Sequence, residues 1–425
     1  MLETPARIAP SRVEYAQSSM LRLSDRVSRL KPSSTLAVDA RCKAMRAQGI
    51  DVIAFGAGEP DFDTPMLIRN AAIDALLAGK TRYVAAEGDP AARSAIARKL
   101  KGENGIECSA EHIVISVGGK HSIYLALQSL LDPGKGQHVI LPTPAWVSYR
   151  PMIELAGGEA VEVAGAIERD FKITPEQLQR AITPQTAAII INSPSNPCGT
   201  MYSPEELRAL AAVLAAHPNI AIITDEIYER LVYGEHKHLS LGSLPEIAHR
   251  VITINGLSKA YAMTGWRIGY ACAPGSGGIV AKAMAKLQGQ MTSNITSFVY
   301  PAIVEALTNG AESIEKMRQA FAKRAMLIHT LIQAMPGVRC PKPTGAFYIF
   351  PDISAHFGKA TPAARMITSA QSFAEALLEE AKVAVVPGED FGECARSHVR
   401  LSFATSERNI EEGCRRLRGF IESLR

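Results

Sequence analysis

Through the middle of the chain, short apolar runs alternate with longer stretches whose apolar positions recur at helical spacing. The runs from His112 to Val117, His138 to Leu141, Ala187 to Ile191, Ile220 to Thr224 and Val251 to Ile254 read as buried strands. Periodic segments such as Ser122 to Leu131 read as the helices between them, so the pattern predicts an α/β domain with a mainly parallel sheet. Beyond about residue 320 the pattern changes. An amphipathic helix (Ser313 to Met335) is followed by Gly345-Ala346-Phe347-Tyr348-Ile349-Phe350, another helix and a strand near Val399 to Phe403, a separate α+β lobe. No internal repeat, low-complexity tract or long linker interrupts this order.

What stands at the strand ends adds chemistry. The third run stops at Asn192-Ser193-Pro194-Ser195-Asn196-Pro197, the fourth runs into Asp225-Glu226, and the fifth leads into Asn255-Gly256-Leu257-Ser258-Lys259. Open α/β sheets bind ligands outside the carboxyl ends of their strands, so Asn196, Asp225 and Lys259 are placed to converge. A lysine there can form an imine with an aldehyde, although most lysines simply keep their charge in water. Asp225 alone reads most simply as a helix N-cap; opposite a heterocyclic nitrogen it would keep that nitrogen protonated. Tyr228 falls one helical turn later, on the same face, where a plain core tyrosine is an equal reading. Gly118-Gly119-Lys120, between strand and helix, makes either an ordinary turn or an anion cradle, and Arg267 could neutralise a phosphate or form a surface ion pair. Arg400 lies within a strand-like apolar run, where a buried guanidinium requires an anion.

With 425 residues, 47% hydrophobic and 21% charged, the chain is large enough for two domains around a cleft and has an ordinary globular composition. The net charge of +4 is interspersed rather than clustered, which argues against nucleic acid or a membrane as partner. Seven scattered cysteines without a CxxC pair, no secretory h-region and no long apolar run point to a cytoplasmic protein. Gly256-Leu257-Ser258-Lys259-Ala260 lacks the last glycine of a nucleophile elbow, and Gly275-Ser276-Gly277-Gly278 lacks dinucleotide-loop spacing. His236 and His238 flank Lys237 in what reads as a solvated loop rather than a metal site, so no metal is expected.

Gly58-Glu59-Pro60-Asp61-Phe62-Asp63-Thr64-Pro65, Ser193 to Gly199, Thr224 to Tyr228, Ser258-Lys259 through Tyr270, and Gly345 to Tyr348 together resemble the class I/II aminotransferases. The likeness is to the aspartate aminotransferase subgroup I-beta, which includes aspartate/prephenate enzymes, and it spans roughly residues 25 to 425. It implies the fold type I architecture: an extension over 1–24, a small domain from 25–60 and 320–425, and a large domain over 61–319. It implies pyridoxal 5′-phosphate (PLP) on Lys259, Asp225 at the ring nitrogen, Asn196 and Tyr228 at the phenolate oxygen, and Trp146 stacked on the ring. Gly119, Lys120, Ser258 and Arg267 would hold the phosphate, and Tyr83 would reach it from the other subunit of a homodimer.

The resemblance also gives Arg400, Asn196 and the Gly58 backbone to the substrate α-carboxylate. Lys120 takes the distal carboxylate, with Ser33 and Thr35 closing over the substrate and Lys31 near a bulkier acid. The expected activity is ping-pong transamination from a dicarboxylic amino acid such as aspartate to 2-oxoglutarate. Prephenate or aromatic transamination, or β/γ-elimination on the same scaffold, are the alternatives. The chain departs from the family at Val84-Ala85-Ala86-Glu87-Gly88, Ala145 and Cys198, all bordering the pocket.

Overall fold

The computed structural model describes residues 21, 23–28, 30 and 34–425, without the side chains of 34–36. By compactness the chain divides into Met1–Pro32 and Ser33–Arg425. The described part of the first unit holds one exposed helical turn, Asp25–Ser28. The expected substrate-side residues Lys31 and Ser33 lie outside the described residues, and Thr35 falls in the helix Ser34–Ala47 with its side chain undescribed.

The second unit is organised by a seven-stranded sheet. In chain order its strands are β1 (Ile113–Val117), β2 (His138–Thr143), β3 (Glu159–Ala164), β4 (Thr186–Asn192), β5 (Ala221–Asp225), β6 (Val251–Gly256) and β7 (Ile268–Cys272). They lie in the order β1-β7-β6-β5-β4-β2-β3, all parallel except β7. β6 and β7 are buried at every position, as strands covered on both faces by helices must be, which is why they contain near-continuous apolar residues.

The five strands expected from the sequence are present, and two more were not anticipated. β3 is an edge strand interrupted by Glu159 and Glu162, with only Val163 buried, so it carries no dense apolar run. β7 follows Arg267 directly and contains Gly269, so the sequence reading took it only as the tail of a motif. β2 also continues through Pro142 and Thr143 instead of stopping at Leu141. β4 pairs with β2 only as far as Ile140, and beyond that a proline on the free side forfeits no ladder bond.

Tyr348–Ile349 (β8), Val386–Pro387 (β9) and Val399–Ser402 (β10) form a second, antiparallel sheet in the order β9-β10-β8. Ser402 sits opposite Tyr348, and Arg400 opposite Val386. The segment after Ile53–Ala54 is stitched alongside: Phe55 N–H donates to Ala384 O at 2.8 Å and Phe55 O accepts from Ser402 N–H at 2.8 Å. The helices Ala311–Gln333 and Glu407–Ser423 pack on each other and close a core around Phe55, Phe321, Phe347 and Phe403.

Candidate active site

A cavity of about 310 Å³ opens where the carboxyl ends of β1, β4, β5 and β6 meet the start of the antiparallel β7. At its β1 side the helix Gly119–Leu130 begins without a side-chain cap, leaving the Gly119 and Lys120 amides without intrahelical acceptors. Gly118 has φ 82°, and a Cβ there would lie 2.4 Å from Arg267 Nη2, so only glycine lets the guanidinium close against this turn. Gly269 has the same function from below, since its Cβ would come within 2.1 Å of Gly119 N. Arg267 itself is held at φ 55°, with Nη1 donating to Thr264 O at 2.8 Å. Ser258 lines the same cavity, which therefore offers an anion a cation, a hydroxyl and helix-start amides.

Asp225 ends β5 almost fully buried. Its Oδ2 accepts from Tyr149 Oη at 2.6 Å and its Oδ1 from Ile227 N–H at 3.2 Å, and no cation forms an ion pair with it among the described residues. Burial raises its pKa to about 6 against the opposing hydrogen bonds. Lys259, in the loop after β6, is also buried; its ammonium donates to Gly58 O, and burial lowers its pKa to about 8. Arg400, 2% exposed, has no acidic partner among the described residues either. Its Nη1 donates to Asn196 Oδ1 at 2.9 Å and its Nη2 to Gly56 O at 2.8 Å, Nε has no acceptor, and the guanidinium lies 4.7 Å from the Tyr348 ring centre.

Arg400 thus meets the Gly56 carbonyl, whereas the Gly58 carbonyl is engaged by Lys259. Asn196 has its carbonyl end occupied by Arg400, which leaves its amide hydrogens for an acceptor in the cavity. Its backbone is tied down by Asn192, whose Oδ1 accepts from Asn196 N–H at 3.0 Å and whose Nδ2 donates to Asp225 O at 2.9 Å. Tyr228 Oη is 2.9 Å from Tyr348 Oη. Trp146 is half-buried at the rim, with the exposed Lys120 extending its ammonium to 4.9 Å from the indole centre. Although the residue as a whole is exposed, partial desolvation of the ammonium, with the Arg267 charge, lowers the Lys120 pKa.

One cavity therefore gathers the expected Gly58, Gly119, Lys120, Trp146, Asn196, Asp225, Tyr228, Ser258, Lys259, Arg267 and Arg400. Tyr83 is 87% exposed and lines a different surface groove with Lys80 and Tyr300, so its own chain does not bring it to this site. Tyr149, Asn192, Thr264 and Tyr348 line the cavity without having been singled out. Tyr149 lies one helical turn after Trp146, a usable signal, but nothing in Gly345 to Tyr348 distinguishes a working hydroxyl from a core aromatic.

His238 corrects the sequence reading. It is not in solvent: Nε2 lies 3.1 Å from Glu226 Oε2 in a buried cluster with Glu229, Lys99 and Asn104. Glu226, Glu229 and His238 are close enough to share an ion, but the Lys99 ammonium paired to Glu229 already supplies the cation, in line with a structural role.

The sheet order, the lysine beyond a strand end and the helix-start anion site define a fold type I transferase. The family model described as aminotransferase class I and II matches residues 50–417. The chain is 46% identical to the aspartate aminotransferase of Geobacillus stearothermophilus over 95% of its own length and 100% of that protein. It is 45% identical to the aspartate/prephenate aminotransferase of Cereibacter sphaeroides, with the same coverage. Its fold superposes on the crystal structure of the aspartate aminotransferase from Rhizobium meliloti with a TM-score of 0.90 at 39% identity, covering 96% and 100% of the two chains. The Thermus thermophilus aspartate aminotransferase with maleate gives 0.87 at 43% identity, covering 94% and 100%. The chain belongs to the class I and II aminotransferases, and it is a transaminase.

Proposed function

We propose that this transaminase uses PLP to move the amino group of a dicarboxylic L-amino acid, aspartate foremost, to 2-oxoglutarate. The observation that carries the reading is a set of unbalanced buried groups around one cavity. Among the described residues Asp225 has no cation in an ion pair and Arg400 no anion, and burial makes the Lys259 ammonium easier to deprotonate. Each cost persists because a ligand supplies the missing partner.

The residues fit PLP on the chemistry of their donors. The Gly119 and Lys120 amides, Ser258 and Arg267 would hold its phosphate, Asp225 its ring nitrogen, Asn196 and Tyr228 its phenolate oxygen, and Trp146 its ring face. Bound there, PLP supplies an aldehyde for exchange between Lys259 and the substrate amine, and an electron-poor ring that accepts the electron pair left at Cα. Lys259, whose lowered pKa eases loss of its own proton, would take the proton from Cα. Asp225 keeps the ring nitrogen protonated, and Arg400 fixes the α-carboxylate so that Cα faces Lys259.

Lys120, a cation at the mouth without an acidic partner among the described residues, suits a second carboxylate, and the names of the relatives support an acidic donor. The exposed Tyr83 supports a homodimer in which it serves the partner's phosphate site. The changed pattern beyond about residue 320 supports a division into a large domain over 61–319 and a small one from 25–60 and 320–425. Seven free cysteines, and the lack of any described helix long and apolar enough to cross a membrane, support a cytoplasmic location.

A panel of amino donors and 2-oxo acids with the purified, PLP-loaded protein tests the reading. Aspartate and 2-oxoglutarate should give the highest kcat/KM. Ammonia release without an acceptor would instead make it a lyase, and a preference for prephenate or aromatic acids would remove the aspartate assignment.

A further inference from the structure

Tyr348 stands at the junction of the two sheets. Its backbone belongs to β8, opposite Ser402 of the strand that carries Arg400, while its hydroxyl reaches across to Tyr228 in the loop after β5. The side chain is 1% exposed and its ring covers the Arg400 guanidinium. A Cβ added at Gly58 would lie 2.9 Å from Tyr348 Oη, so the hydroxyl is closely confined. Tyr228 Oη is its one hydrogen-bond partner among the described residues.

Two phenols in one contact share one proton between them, so one must donate and the other accept. Should Tyr228 donate to Tyr348, its proton is spent and its oxygen faces the cavity as an acceptor. With Tyr348 as donor, Tyr228 keeps its own proton for a third group. Burial raises the pKa of both phenols, so both protons are in place at working pH. An anionic oxygen in the cavity selects the second arrangement, because a chain of hydrogen bonds running in one direction polarises each member.

We propose that Tyr348 is a positioning residue whose hydroxyl donates to Tyr228 and so commits the Tyr228 proton to the phenolate oxygen of the cofactor. The inference rests on the PLP reading above and adds a residue to it. Its second part is a division of labour within one side chain: the hydroxyl serves the cofactor through Tyr228, and the ring serves the substrate carboxylate by covering Arg400.

Tyr348→Phe removes the hydroxyl and keeps the ring; Tyr348→Leu removes both. The readout is a pH titration of the visible band of PLP bound to Lys259, run on wild type and both variants alongside kcat and KM for the amino donor. A weaker Tyr228 donor leaves the phenolate charge less stabilised, so the neighbouring nitrogen keeps its proton to higher pH. The titration midpoint should rise by about half a pH unit in Tyr348→Phe, with KM near the wild-type value. In Tyr348→Leu the midpoint should rise equally and KM should rise several-fold as well.

A midpoint in Tyr348→Phe that is unchanged or lower overturns the proposal while the PLP reading stands. So does a KM that rises equally in both variants without a midpoint shift, which would leave the residue a structural support for Arg400 alone. A wild type that takes up PLP without a visible band overturns both readings.

Discussion

Asp225 and Glu226 are neighbours at the end of one strand, buried to almost the same degree, and they face opposite environments. Glu226 turns away from the cavity into a set of partners: Thr224 and Ser240 hydroxyls at 3.0 and 2.8 Å and His238 at 3.1 Å. Beside it Lys99 and Asn104 hold Glu229, and although burial opposes ionisation, the Lys99 charge and its hydrogen bonds bring the Glu229 pKa down to about 2. Burial works against His238 too, yet the Glu226 contact raises its pKa, which brings the cluster towards two negative and two positive charges. Asp225 has only neutral hydrogen-bond partners, and burial sends its pKa the other way. One strand end therefore carries a balanced set of charges on one side and an unbalanced set on the other. The difference separates a structural cluster from a site waiting for a ligand.

The largest test removes the centre of the unbalanced side. Lys259→Ala should lower transamination at least about a thousandfold and abolish the visible band on adding PLP, with the far-ultraviolet dichroism unchanged. An active, coloured variant would collapse the distinction. On the balanced side, Lys99→Met strands the buried Glu229 carboxylate, and chemical denaturation should show a loss of about 3–5 kcal/mol. Adding Glu229→Leu should restore most of it, and a double variant as weak as the single one would mean that packing rather than charge holds the cluster.

Asp225 should respond in the opposite sense. Its folded pKa of about 6 exceeds the usual carboxylate value, so the folded state binds more protons than the unfolded one between about pH 4 and 6, and stability falls as pH rises through that window. In cofactor-free protein at pH 7, Asp225→Asn should thus gain about 3 kcal/mol at the cost of turnover, and the gain should vanish below about pH 4. A gain that persists at pH 4 would show that charge is not its source. The smallest effect concerns the rim. Lys120→Ala should lower kcat/KM for aspartate by about ten- to a hundredfold and leave neutral donors much less affected. Equal loss for all donors would return Lys120 to the phosphate cradle alone.

The same contrast explains what could be read from the chain beforehand. Lys259, Asp225 and Asn196 stand just past apolar runs, and a parallel sheet sends all such positions to one edge, so their convergence follows from strand pattern alone. Arg400 was legible because a charge within an apolar run is an anomaly. Balanced groups leave no such mark: His238 reads as a solvated loop because its partner Glu226 is twelve residues earlier and Lys99 is brought in by a different helix. Tyr149 and Tyr348 were hidden for a related reason, since a hydroxyl on an otherwise apolar ring alters neither periodicity nor charge. β3 and β7 were missed where an edge position and an internal glycine dilute the apolar signal.

Asn196 has a consequence of another kind. Its amide has two ends: the carbonyl is held by Arg400, and on the proposed reading the amino group is held by the cofactor. Orienting either end orients the other, so the two binding events share one free energy of coupling, and such coupling is reciprocal. Whatever PLP gains the enzyme in affinity for an acidic substrate, that substrate must return in retention of PLP. A dicarboxylate without an amino group, which cannot displace Lys259 from the cofactor, should therefore slow the loss of PLP.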